Sequence, residues 1–147
     1  MFKYNLFLFK NLPSAWLCGV RLIKLDENKC KASVSLNWFN TNPFKSLYWA
    51  VQGMASELTT GMLIIEQKDK LDFNISMLVI SNSSKFFKKA KGKIVFECND
   101  IKKIENVFMG LTKENPKAVL SLNSKGFDEQ GDLVSDFIYQ WSLKRKF

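Results

Sequence analysis

Asn42-Pro43-Phe44-Lys45-Ser46-Leu47-Tyr48-Trp49-Ala50-Val51-Gln52-Gly53-Met54-Ala55-Ser56-Glu57-Leu58-Thr59-Thr60-Gly61 reads as a turn that feeds a long helix. Asn before Pro is a turn signal. From Leu47 onward apolar residues recur at Val51, Met54, Leu58, Met62 and Ile65, which is a helical period. The other side holds Ala50, Gly53, Ala55 and Gly61, small enough for a sheet to approach closely. A helix apolar nearly all round is expected to be central and buried. It nevertheless carries one carboxylate, Glu57, in its middle, and a charge is rarely buried without a partner or a task.

The flanking segments supply strands to cover such a helix. Residues 18–25 and 29–38 are β-rich and meet at the turn-type tetrad 26–29. In the second run Cys30, Ala32, Val34, Leu36 and Trp38 alternate with Lys29, Lys31, Ser33, Ser35 and Asn37, the pattern of a half-buried antiparallel strand. Residues 73–89, 93–98, 118–123 and 133–143 also read as strands. Residues 101–115 fit two readings, because Ile104, Val107, Phe108 and Leu111 are helically spaced among many β-formers. At the start, about residues 1–15 predict a short helix with Phe2, Leu6, Phe9 and Leu12-Pro13 on one side. That side is expected to pack on the domain's own sheet in preference to a membrane surface. The fold class that follows is α+β: one antiparallel sheet of five or six strands curled around helix 47–65. No linker or repeat divides residues 1–147, which read as a single domain.

Composition narrows the chemistry. The chain has no histidine, so no imidazole base or ligand is available in it, and Ser-His and Cys-His nucleophile pairs are excluded. Cys18, Cys30 and Cys98 form no CxxC pair, no zinc spacing is present, and no metal site is expected. Lysines and arginines outnumber acids 22 to 14, a net charge of +8 carried almost wholly by lysine. Such a balance suits an acidic partner or is a solvated surface. The apolar run 47–65 is long enough to span a bilayer, but Gln52, Ser56, Glu57, Thr59 and Thr60 interrupt it. No membrane span is expected, and the default location is cytoplasmic.

The quoted stretch resembles the start of the central helix in hotdog-fold thioesterases of the phenylacetate-degradation type. That family has Asn, then His-Gly-Gly six residues on, then Asp nine residues after the His; this chain has Asn42, Tyr48-Trp49-Ala50 and Glu57 at those intervals, followed by Gly61. With residues 86–93 included, the stretch is similar to an uncharacterised bacterial branch of the superfamily. The resemblance implies a thioester hydrolase acting on acyl-CoA or an acyl carrier protein. It needs no separate cofactor, since coenzyme A enters with the substrate. It implies Glu57 as base or nucleophile, Tyr48 as the residue that orients the carbonyl, the Trp49 N–H as oxyanion donor and Asn42 as the residue that positions their loop. Ser76 and Ser81 lie near the family's water-orienting hydroxyl without aligning to it. Lys85, Lys88, Lys89 and Lys91, with Lys93, are the candidates to meet phosphates or an acidic carrier.

Each residue also has a plainer reading. Glu57 could be a structural carboxylate paired across an interface, Tyr48 a polar-tipped interface residue, Asn42 a turn residue, and the lysines a solvated strand end. Lysines interleaved with Phe86-Phe87 also match a single-stranded nucleic-acid platform, although no nucleic acid is expected. A Trp where the family has glycine could narrow the channel, which leaves a non-catalytic acyl-binding protein as the alternative. Spacing adds one constraint. Tyr48 and Glu57 are nine residues apart, which at about 3.6 residues per turn puts them on opposite sides of the helix. Only a second copy of the chain can bring them together, so a homodimer, alone or as a dimer of dimers, is expected.

Overall fold

The computed structural model describes residues 1–147. In chain order the elements are α1 (Phe2–Asn11), α2 (Pro13–Leu17), β1 (Arg21–Leu25), β2 (Cys30–Ser35), α3 (Trp49–Lys70), β3 (Asn74–Phe86), β4 (Lys93–Cys98), α4 (Ile101–Met109), β5 (Lys117–Phe127) and β6 (Leu133–Lys146). All six strands join one sheet in the order β1-β2-β4-β5-β6-β3. Every pairing is antiparallel. The α+β expectation therefore holds with six strands, and α3 packs on β2, β4, β5 and β6.

What presses α3 to the sheet is smaller and more polar than the apolar period suggested. Ala55, Ser56, Thr59, Thr60 and Leu63 are buried, whereas Met54 and Ile65 are only half-buried. The small residues do face the sheet: a methyl group at Gly61 would lie 3.4 Å from the Trp141 ring, and Gly53 faces Phe137 and Tyr139. The hydroxyls meet β5 and β6 in a seam. Ser56 Oγ lies 2.6 Å from the Tyr139 hydroxyl, Thr59 Oγ1 lies 2.8 Å from Ser124 Oγ, and Trp141 Nε1 donates to Thr60 Oγ1 at 3.0 Å. Buried polar atoms cost stability unless paired, so three such pairs allow essentially one rotation of the helix. That rotation sets where Glu57 points.

Two more elements are settled by packing. Residues 101–109 are helical, with Ile101, Ile104 and Phe108 buried on one side and Phe108 stacked on Phe73 at 5.7 Å. The N-terminal helix forms, but a different side of it packs. Leu8 is buried, the Tyr4 hydroxyl donates to Glu66 Oε2, and the Asn5 side chain bonds both backbone groups of Leu22. Phe2, Leu6 and Phe9, expected to face the sheet, are exposed.

β3 lies at the sheet edge and pairs only with β6. Its register shifts between Val79 and Ser81, so Ile80 sits in a bulge. A bulge reverses the alternation of faces beyond it. Val79 and Asn82 consequently lie opposite the buried Trp141 and Tyr139, on the helix side of the sheet.

Candidate active site

The loop before α3 is built by two asparagines. Asn40 is 2% exposed; its Nδ2 donates to the carbonyls of Cys18 and Ser35, each at 2.9 Å, and its Oδ1 accepts from the Asn37 N–H at 2.8 Å. Its own carbonyl accepts from the Tyr48 N–H, and the Leu47 N–H donates to Ala90. Asn42 closes the next turn, its Oδ1 accepting from the N–H groups of Phe44 and Ser46 at 2.9 and 3.2 Å. Asn42 thus shapes the loop that presents Tyr48. Sequence reading missed Asn40, because its partners lie up to 22 residues away. Asn40→Ala removes all three side-chain bonds and leaves buried groups unpaired. Urea unfolding should show about 2–3 kcal/mol lower stability.

Tyr48 caps α3 in an extended conformation, with φ −59° and ψ 133°. The N–H groups of Trp49 and Ala50 have no acceptor in the chain. They lie at the start of a 22-residue helix, where the dipole favours negative charge. An open cleft of about 680 Å³ lies beside this helix start, with Asn42, Phe44, Tyr48, Trp49 and Gln52 on one side and residues 86–90 on the other. Tyr48 and Trp49 are both about half exposed, and their rings meet edge to face at 6.2 Å.

Glu57 does not line that cleft. It stands on the other side of α3, half-buried, between two hollows of about 360 and 250 Å³. The larger is bounded by Trp49, Gly53, Val79, Asn82 and Tyr139. The smaller is almost hydrocarbon, with Phe7, Leu12, Leu58, Met62, Met77 and Trp141. The Glu57 carboxylate has no hydrogen bond or ion pair in the chain; only its backbone carbonyl is used, by Thr60 Oγ1. Burial raises its pKa above the ordinary carboxylate value. Burial likewise raises the pKa of Tyr139, aided by the nearby Glu57 charge, so that phenol stays protonated as a donor to the Gly53 carbonyl.

Asn42, Tyr48 and Trp49 therefore come together, Glu57 stays apart from the first two, and Trp49 alone borders both the cleft and a Glu57 hollow. Ser76 and Ser81 fall on the face away from Glu57; the Ser81 hydroxyl donates to Gln140 at 2.8 Å. Asn82 is the polar side chain that β3 adds beside Glu57. The lysines separate too. Lys88 is held by Asp128 and Asp132 at 2.5 and 2.9 Å, which raises its pKa and cancels its charge locally. Lys89 borders the cleft with its Nζ 6.0 Å from the centre of the Phe44 ring, while Lys85 and Lys91 are exposed. No group of acids and cysteines is placed to hold a metal.

Neither a protein-family model nor a curated protein sequence matches the chain. Solved structures do. A Pseudomonas aeruginosa protein of unknown function, described as a probable thioesterase, superposes with a TM-score of 0.84 at 22% identity, over 99% of this chain and 97% of that one. This chain has the hotdog fold. A thioesterase from Haemophilus influenzae shares the hotdog architecture at 12% identity, with a TM-score of 0.72 over 97% of this chain and 88% of its own. The Escherichia coli PaaI protein of the phenylacetic acid degradation operon does so at 10%, with a TM-score of 0.69 over 96% and 89%. In this hotdog chain no helix is long and apolar enough to cross a membrane.

Proposed function

We propose that the protein hydrolyses acyl thioesters at a site shared by two copies of the chain. The observation that carries this reading is Glu57: an unpaired carboxylate of raised pKa, held between two hollows and the one charged residue of α3 before its last two turns. A carboxylate left without a partner in such surroundings suits a general base, or a nucleophile toward a thioester carbonyl. The free Trp49 N–H at the helix start is suited to a developing oxyanion, and the Tyr48 hydroxyl to orienting the carbonyl. Lys89, with Lys85 and Lys91 nearby in sequence, supplies positive charge for the phosphates of coenzyme A or an acidic carrier protein.

A dimer is the natural way to complete the site. β3 is a 13-residue edge strand with one side unpaired, and its ladder is free to pair with another strand. Two-fold pairing of β3 with the same strand of a second chain would bring Glu57 of one protomer toward the cleft of its partner.

One observation favours a second reading, an acyl-binding protein without catalysis. The Trp49 side chain, about half exposed, borders both the cleft and a Glu57 hollow, where its bulk would crowd an acyl substrate. The test is loss of thioester absorbance on a panel of short, long and aryl acyl-CoAs, with wild type beside Glu57→Ala. Turnover that collapses in the variant supports hydrolysis. Acyl ligand binding without turnover by folded, dimeric wild type supports the second reading.

A further inference from the structure

We propose that the exposed apolar stripe of the N-terminal helices docks on an anionic lipid bilayer, a property independent of any thioesterase activity. α1 spends its inward side on Tyr4, Asn5 and Leu8, which leaves Phe2 almost uncovered and Leu6 and Phe9 about half exposed. Phe2 is 83% exposed. Phe9 meets Trp16 of α2 edge to face at 4.8 Å, and these side chains border a shallow groove of about 240 Å³. Leu17, next in the chain, is also exposed. Phenylalanine and tryptophan with leucine are the side chains that enter the headgroup boundary when a helix lies flat on a bilayer.

Charge identifies the occupant. The first 25 residues contain no acid and four cations, of which Lys24 is paired with Asp26 at 3.1 Å and Lys3, Lys10 and Arg21 are not paired with an acid. Lys3 and Lys10 lie on α1 itself. The Arg21 guanidinium sits 4.2 Å from the centre of the Trp16 ring and donates to the Trp16 and Val20 carbonyls at 2.7 and 2.8 Å, so a fixed positive charge lies against Trp16, one wall of the groove. A second copy of the same stripe is a poor occupant. In a two-fold contact a patch meets itself, and this rim would set cation against cation. An anionic surface satisfies both the rim and the hydrocarbon. The helix is ten residues long and would lie in the interface without spanning it.

The experiment is co-sedimentation of the 147-residue chain with vesicles of phosphatidylcholine, alone or mixed with phosphatidylglycerol. Retention is expected on the mixed vesicles, weakening as salt rises, with far less on phosphatidylcholine alone. Phe2→Ser with Phe9→Ser should lower the partition coefficient by about tenfold or more. Lys3→Gln with Lys10→Gln should lower it by about fivefold per charge, on anionic vesicles only. Phe2, Lys3 and Lys10 are exposed and Phe9 is about half exposed against Trp16, so each variant should stay folded, the serine variant melting at most slightly below wild type, which circular dichroism checks. Absence of retention on anionic vesicles overturns the proposal. So does equal retention of the serine variant, which would mean adhesion by the remaining lysines. A serine variant that changes oligomeric state by light scattering while vesicle binding is unmoved would make the stripe a protein interface, and also overturns it.

Discussion

Glu57→Gln should abolish thioester turnover, by about 10²- to 10⁴-fold in kcat, while leaving the fold intact. The amide keeps the size of the carboxyl and removes its ability to take a proton. Stability then separates catalytic from structural roles. The Glu57 pKa is raised in the folded chain by burial. A carboxyl of this kind contributes stability that is full below its unfolded pKa and lost as pH rises through the folded one. Wild type should therefore lose stability relative to Glu57→Gln as pH climbs out of the ordinary carboxylate range, and the variant should melt higher at neutral pH. A carboxylate paired with a lysine across an interface predicts the opposite, since removing one partner strands the other. The same shift places the rising limb of the pH–rate profile above the ordinary glutamate value of 4.5, because the base works deprotonated. Thermal melts of both proteins from acid to neutral pH, with initial rates of the wild type, test all three points.

Much of this was legible because it is periodic or local. The β2 alternation and the length of α3 are local patterns, and Glu57 stands out as the one charge within an apolar period. What was not legible depends on distant partners. The apolar stripe of α3 was visible, but the rotation of the helix is set by Ser56, Thr59 and Thr60 bonding Tyr139, Ser124 and Trp141, residues 65 to 83 positions away. The four candidate lysines read alike until folding set Lys88 beside Asp128 and Asp132, about 40 residues on. The bulge at Ile80 moved Asn82, and neither Ser76 nor Ser81, toward Glu57. At α1 the larger side chains gave the wrong face. Tyr4 and Asn5 go inward because each finds a hydrogen-bond partner there, which Phe2 and Phe9 cannot.

Trp49→Pro should cost about 10²- to 10³-fold in turnover with little change in stability. Proline removes one group that matters here, the backbone N–H, and the first helical position is where a helix tolerates it. The preceding residue must be extended, and Tyr48 already is, at φ −59° and ψ 133°. Trp49→Ala is the control: it deletes the ring, keeps the N–H, and should retain or raise activity if the indole only crowds the substrate. Mixing then tests where the site lies. In a dimer of one Glu57→Gln chain and one Trp49→Pro chain, one shared site carries both defects and the other carries neither. If Glu57 works with the helix start of its partner, two inactive proteins allowed to exchange subunits should recover about a quarter of wild-type activity, since half the dimers are mixed and half their sites intact. If Glu57 works within its own chain, every site in the mixture is damaged and nothing returns. Recovery would establish the shared site by function, and its absence after verified exchange would remove the dimer from the mechanism.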